Sequence, residues 1–67
     1  PMDITVNGAP WQVAESCMVL DLLKEKRCKV NMTSVWLNGR QLLMAEYATT
    51  PLAPGDTVKL VRLFGGG

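Results

Sequence analysis

The chain has 67 residues, seven basic and six acidic side chains, no histidine and a formal net charge of +1. That length holds one small domain with a thin core, and a hydrophobic content of 48% argues against disorder. The near-neutral balance gives no strong field for nucleic acid or a membrane surface, and no apolar run or signal-peptide pattern marks a membrane span or export, so the expected location is the cytoplasm.

Met2 reads as the natural start, with Pro1 an added residue. Residues 2–6 read M-D-I-T-V: Met2, Ile4 and Val6 alternate with Asp3 and Thr5, the pattern of a half-buried strand. Asn7-Gly8 follows, a hairpin signal because both residues accept positive φ. Residues 10–14 alternate again around Trp11-Gln12-Val13 and read as the returning strand, with Pro10 suited to its entry or to an edge.

Glu15-Ser16-Cys17 breaks the alternation. Val19, Leu22, Leu23 and Lys26 then fall at i, i+3, i+4 and i+7, which predicts a helix with one apolar stripe over 18–27. Ser16 is the candidate N-cap, and Asp21 and Glu25 are read as acids of the helix's first half. Residues 28–33 form a connection in which Val30 or Met32 returns to the core. Residues 34–37 (S-V-W-L) read as a third strand, Asn38-Gly39 as a second tight turn and 40–44 (R-Q-L-L-M) as a short fourth strand. A short helical turn is expected around Glu46-Tyr47. Pro51, Pro54 and Gly55 make 51–56 a turn segment, and the last strand spans 57–64.

The order strand, strand, helix, strand, strand, strand predicts an α+β fold of two layers, a mixed four- to five-stranded sheet with one main helix packed on one face. The domain covers 2–64 and a flexible glycine tail covers 65–67. Val58 and Leu60 share the helix-facing side of the last strand, and continued alternation puts Arg62 and Phe64 on that side. Val61 and Leu63 then lie on the uncovered face. An apolar pair beside a glycine tail suggests a docking surface, with Phe64 at the root of the tail.

The remaining features have blander readings. Cys17 and Cys28 lack C-x-x-C spacing and are read as small, partly buried apolar residues in a reducing compartment. Without histidine no metal site is expected. Lys24, Lys26, Arg27 and Lys29 form a basic cluster; the favoured reading is the solvated last turn of a helix, ahead of a patch for an anion or an acidic partner.

Taken in this order, the chain resembles the ubiquitin-like β-grasp sulfur carriers of the ThiS/MoaD type, most closely the ThiS family of thiamine biosynthesis. The resemblance covers essentially the whole chain. It rests on the Asn7-Gly8 hairpin, V-x-x-L-L at Val19, Leu22 and Leu23, L-N-G at 37–39, L-x-x-G-D-x-V at 52–58 and the terminal Gly66-Gly67. Two departures are visible: Met18 stands where the family often has Thr or Ser, and Gly65 is a third glycine.

The resemblance implies a protein co-substrate rather than an enzyme, with no catalytic residue, metal or bound cofactor of its own, and a monomer when free. A ThiF/MoeB-like adenylating enzyme would use ATP to activate the Gly67 carboxylate. A sulfur donor such as a cysteine desulfurase would convert it to a thiocarboxylate, and thiazole synthase or another acceptor enzyme would take the sulfur. Gly65, Gly66 and Gly67 would thread into the partner's active site, since glycine lacks the Cβ that blocks a narrow channel. The absence of a G-x-x-x-x-G-K-[ST] loop agrees with an ATP site held by the partner. Two alternatives stand beside this: a carrier for molybdopterin, cysteine or methionine synthesis, and a non-covalent β-grasp interaction module.

Overall fold

The structure, a computed structural model, describes residues 1–63. Strands β1 (Met2–Val6) and β2 (Ala9–Val13) form an antiparallel hairpin in which Met2 faces Val13 and Val6 faces Ala9. Asn7 at φ 50° and Gly8 at φ 82° close it, the positive pair that matches the twist of the strands. Helix α1 (Val19–Glu25) follows, then a 3₁₀ turn at Val30–Met32, β3 (Thr33–Leu37) and β4 (Arg40–Gln41). A second 3₁₀ turn at Met44–Glu46 precedes β5 (Thr57–Arg62). The sheet order is β2-β1-β5-β3-β4, with β1 and β5 parallel and the other neighbours antiparallel. This is the expected mixed sheet with one helix on one face, and it has five strands.

The period-2 and period-3.6 patterns converge on one core. Ile4, Val6, Val35, Val58 and Leu60 from the strands meet Val19, Leu22 and Leu23 from α1, and those three helix residues are completely buried. Tyr47 and Leu52 close the core from the long connection. The Tyr47 hydroxyl donates to the carbonyl of Thr33 at 2.8 Å, so its polar tip is satisfied inside.

Both Asn-Gly turns also hold β5. Asn7 Oδ1 accepts from the Leu60 amide at 2.7 Å, and Asn38 Oδ1 accepts from the Thr57 amide at 2.8 Å. Asparagine here combines tolerance of positive φ with a side-chain acceptor for a neighbouring strand.

β2 and β3 each begin one residue earlier than the sequence expectation, and β2 also ends one residue earlier; the larger differences are at the two ends of the helix and the ends of β4 and β5, and one acid falls elsewhere in the helix. Ser16 is not the N-cap; Met18 occupies that position, without a side-chain hydrogen bond of its own. The first helical donors are satisfied from far along the chain instead: Val19 N–H donates to Thr50 O at 2.9 Å and Leu20 N–H to Tyr47 O at 2.8 Å. Asp21 Oδ2 accepts from the Met18 amide at 2.8 Å, as an N3 acid does in a capping box. Glu25 is the last helical residue rather than an acid of the first half.

The helix stops at Glu25, short of 27, because Arg27 turns left-handed at φ 56°. Arg27 N–H donates to Lys24 O and Cys28 N–H to Leu23 O, the paired bonds of a Schellman closure. β4 ends at Gln41, not at 44. One further rung joins Leu42 N–H to Val35 O, then the Leu43 amide turns to the Glu46 carboxylate and the chain enters its 3₁₀ turn. β5 ends at Arg62, and Phe64 lies outside the described residues. Among the described residues no helix is long and apolar enough to cross a membrane.

Candidate functional site

β5 runs through the middle of the sheet toward the glycine tail. Its first residues pair with β1, Thr5 facing Thr57 and Val6 facing Val58. Beyond that, the ladder is with β3, from Leu37 opposite Val58 to Thr33 opposite Arg62. The last backbone link among the described residues is the Leu63 amide, which donates to Met32 O at 2.7 Å. The strand is therefore anchored up to the residue before Phe64.

The two faces of β5 divide as the alternation requires. Val58 and Leu60 are buried against α1. Arg62 continues that side but passes beyond the helix end; it is exposed, and its guanidinium donates to Lys26 O at 3.0 Å. On the open face Val61 is half-buried and Leu63 is 54% exposed. Val61 faces Ser34 on β3, and Lys59 faces Trp36, whose ring lies 5.4 Å from the Lys59 ammonium. Trp36 in turn faces Gln41 on β4. Past β4, Leu43 and Met44 are 70% and 56% exposed.

Trp36 therefore adds apolar surface to the open face beside Val61 and Leu63, and Leu43 and Met44 are exposed at the turn past β4. Sequence singles out Val61 and Leu63 but not Trp36, although its alternation with the fully buried Val35 puts it on the same uncovered face. Leu43 and Met44 are missed for a different reason: reading 40–44 as strand hides the turn that exposes them. Phe64, Gly65, Gly66 and Gly67 lie outside the described residues, as does the expected boundary between domain and tail.

Around the other side of the β5 end, a cleft of about 300 Å³ is lined by Arg27, Cys28, Lys29, Met32, Arg62 and Leu63, among others. Both cysteines are free; Cys17 is buried and Cys28 half-buried. Burial pushes the Cys17 thiol above its ordinary value, and Glu25 and Asp21 add to this, which leaves it protonated and unreactive near neutral pH.

A five-stranded mixed sheet with one helix across a single face, and a central last strand leading toward Gly-Gly, defines a ubiquitin-like β-grasp domain. No protein-family model and no curated protein matches the chain. Solved structures do. The crystal structure of thiamine biosynthesis protein ThiS from Geobacter metallireducens is similar at 36% identity and a TM-score of 0.83, over 98% of this chain and 100% of that one. A solution structure of a thiamine biosynthesis protein from the same organism is similar at 36% identity and a TM-score of 0.81, over 98% of this chain and 88% of that one. The chain belongs to the ThiS family.

Proposed function

We propose that this protein is a sulfur carrier in thiamine biosynthesis, acting as the co-substrate of an adenylating enzyme. Likeness to ThiS over nearly the whole length of both chains carries this reading. The working group is the α-carboxylate of Gly67, at the end of a tail of Gly65, Gly66 and Gly67.

The chemistry follows from the weakness of a carboxylate as an electrophile. A carboxylate oxygen attacks the α-phosphorus of ATP, an O–P bond forms and pyrophosphate leaves. The resulting acyl-adenylate has AMP as a good leaving group. The terminal sulfur of a persulfide then attacks the carbonyl carbon, and the C–O bond to AMP breaks. A second thiol attacks the sulfur remote from the carbonyl; the S–S bond breaks, a disulfide forms between the donor and that thiol, and the thiocarboxylate leaves. The ThiF/MoeB-like enzyme supplies the ATP site, a cysteine desulfurase or similar donor supplies the sulfur, and thiazole synthase accepts it.

The carrier's own contribution is presentation. Val61 and Leu63, with Trp36 on the same sheet face, and Phe64 next in sequence are the residues against which the adenylating enzyme docks. The bond from the Leu63 amide to Met32 O holds the last described residue against the sheet. Deleting Gly66 and Gly67 tests this reading. The truncated protein should keep its fold and lose all ability to support thiazole formation in a cell-free system. A non-covalent interaction module would keep its activity after the same deletion.

A further inference from the structure

The cations are unevenly placed. Lys24, Lys26, Arg27, Lys29 and Arg62 gather where α1 ends beside β5, which leaves only Arg40 and Lys59 elsewhere. The one ion pair among the described residues joins Arg40 to Glu46. Lys26 lies over the Trp11 ring at 3.9 Å, and Arg62 is held by Lys26 O. The nearest acid in sequence, Glu25, is directed toward Cys17, whose sulfur is 4.0 Å from its carboxylate.

A helix end attracts cations, yet this one is already closed. The carbonyls of Leu22, Leu23 and Lys24 accept from the amides of Lys26, Cys28 and Arg27, and Lys26 O accepts from Arg62. The exposed charges of Arg27 and Lys29 are thus not consumed by capping. They rim the 300 Å³ cleft, whose wall includes half-buried Met32 and Cys28 and the exposed side chain of Leu63.

We propose that this cleft docks an acidic segment of a partner protein that also carries an apolar side chain. Arg27, Lys29 and Arg62 pair with its carboxylates, and Met32 and Leu63 receive the apolar group. Phosphate is the less suitable occupant. Backbone amides often contribute to phosphate sites, and here those of Lys26, Arg27, Cys28, Met32 and Leu63 already donate to carbonyls, so a phosphate would rest mainly on side-chain charge and would leave the apolar wall unused. A second copy of this chain does not complement the cleft either. Asp3, Asp21, Glu46 and Asp56 are each bonded within their own fold, and the Glu25 carboxylate is directed to Cys17, which leaves Glu15 as the one acid of a second copy not so engaged among the described residues. The cleft shares Leu63 with the open sheet face, but its cations lie off that face and its occupancy needs neither Gly67 nor ATP, so its test is independent of the carrier chemistry.

The test is an NMR titration of the isotope-labelled full chain with three probes. These are the peptide Asp-Leu-Glu-Asp-Leu-Glu, its amide counterpart Asn-Leu-Gln-Asn-Leu-Gln, and inorganic tripolyphosphate. The acidic peptide should give saturable shifts clustered at residues 27–33 and 62–63 that weaken with added salt, and the amide peptide should bind about tenfold more weakly. A double variant, Arg27→Asn with Lys29→Glu, should lose affinity by a similar factor; asparagine is chosen because it tolerates the positive φ. If that variant unfolds, Lys29→Gln alone carries the comparison, since the Lys29 side chain is exposed. Equal binding of both peptides overturns the proposal, as do shifts outside the cleft or none at all. Tighter binding of tripolyphosphate at the same residues would mark an anion site instead, and concentration-dependent shifts without any probe would mark self-association.

Discussion

The Arg62 guanidinium donates to the Lys26 carbonyl at 3.0 Å, tying the last residue of β5 to the end of α1. The bond lies one residue before Leu63, where the chain leaves the sheet. Arg62→Leu keeps an apolar stem and removes the donor. Because the site is exposed, the cost should be about 0.5 kcal/mol, the low end for a hydrogen bond. Urea unfolding measures that loss, and the Leu63 amide should exchange faster in the variant.

Tyr47 makes a stronger test of the core. Its hydroxyl is the buried donor to Thr33 O, and Tyr47→Phe strands that carbonyl. The loss should be about 1–3 kcal/mol, seen as a lower urea midpoint with an unchanged slope. Burial also raises the phenol above its ordinary 10.0. The folded state then keeps a proton that the unfolded state has released. Stability from this group is full below pH 10 and falls as pH rises through the folded value. The Tyr47→Phe variant should therefore show a shallower alkaline decline than the wild type.

The start of α1 separates a local rule from a tertiary one. Asp21→Ala removes the acceptor for the Met18 amide and should cost about 1 kcal/mol. Ser16→Ala should be near neutral, since Ser16 is exposed and does not cap the helix. Equal effects at both positions would restore the local reading. Paired thermal or urea melts decide it.

The same contrast shows what was legible in the sequence. Strand alternation and the two Asn-Gly turns gave the hairpins because both signals are local, and Val19, Leu22 and Leu23 gave the buried helix face. Ser16 misleads because the donors of α1 are satisfied by Tyr47 and Thr50, which no window around the helix includes. The end of β4 misleads because Leu42 is apolar and in register, while the next amide is captured by Glu46. The place of Val61 and Leu63 on the open face is legible by following β5 alone. Trp36 needs the pairing of β5 with β3, which a linear reading does not supply.

The open face yields a prediction of its own. Val61→Asp with Leu63→Asp should leave the domain folded, because Val61 is only half-buried and Leu63 is more exposed still. In a pyrophosphate-exchange assay with the adenylating enzyme, the KM for the carrier should rise while kcat changes little. Loss of dispersed amide signals in the variant would instead make the pair part of the core.

The central claim concerns one carboxylate. Intact-mass spectrometry after incubation with ATP, a sulfur donor and the adenylating enzyme tests it most directly. The account predicts the mass gain of one oxygen replaced by sulfur, located by fragmentation at Gly67 and absent when Gly66 and Gly67 are deleted. An unchanged mass, in a mixture where the same enzyme modifies its own carrier, would contradict it.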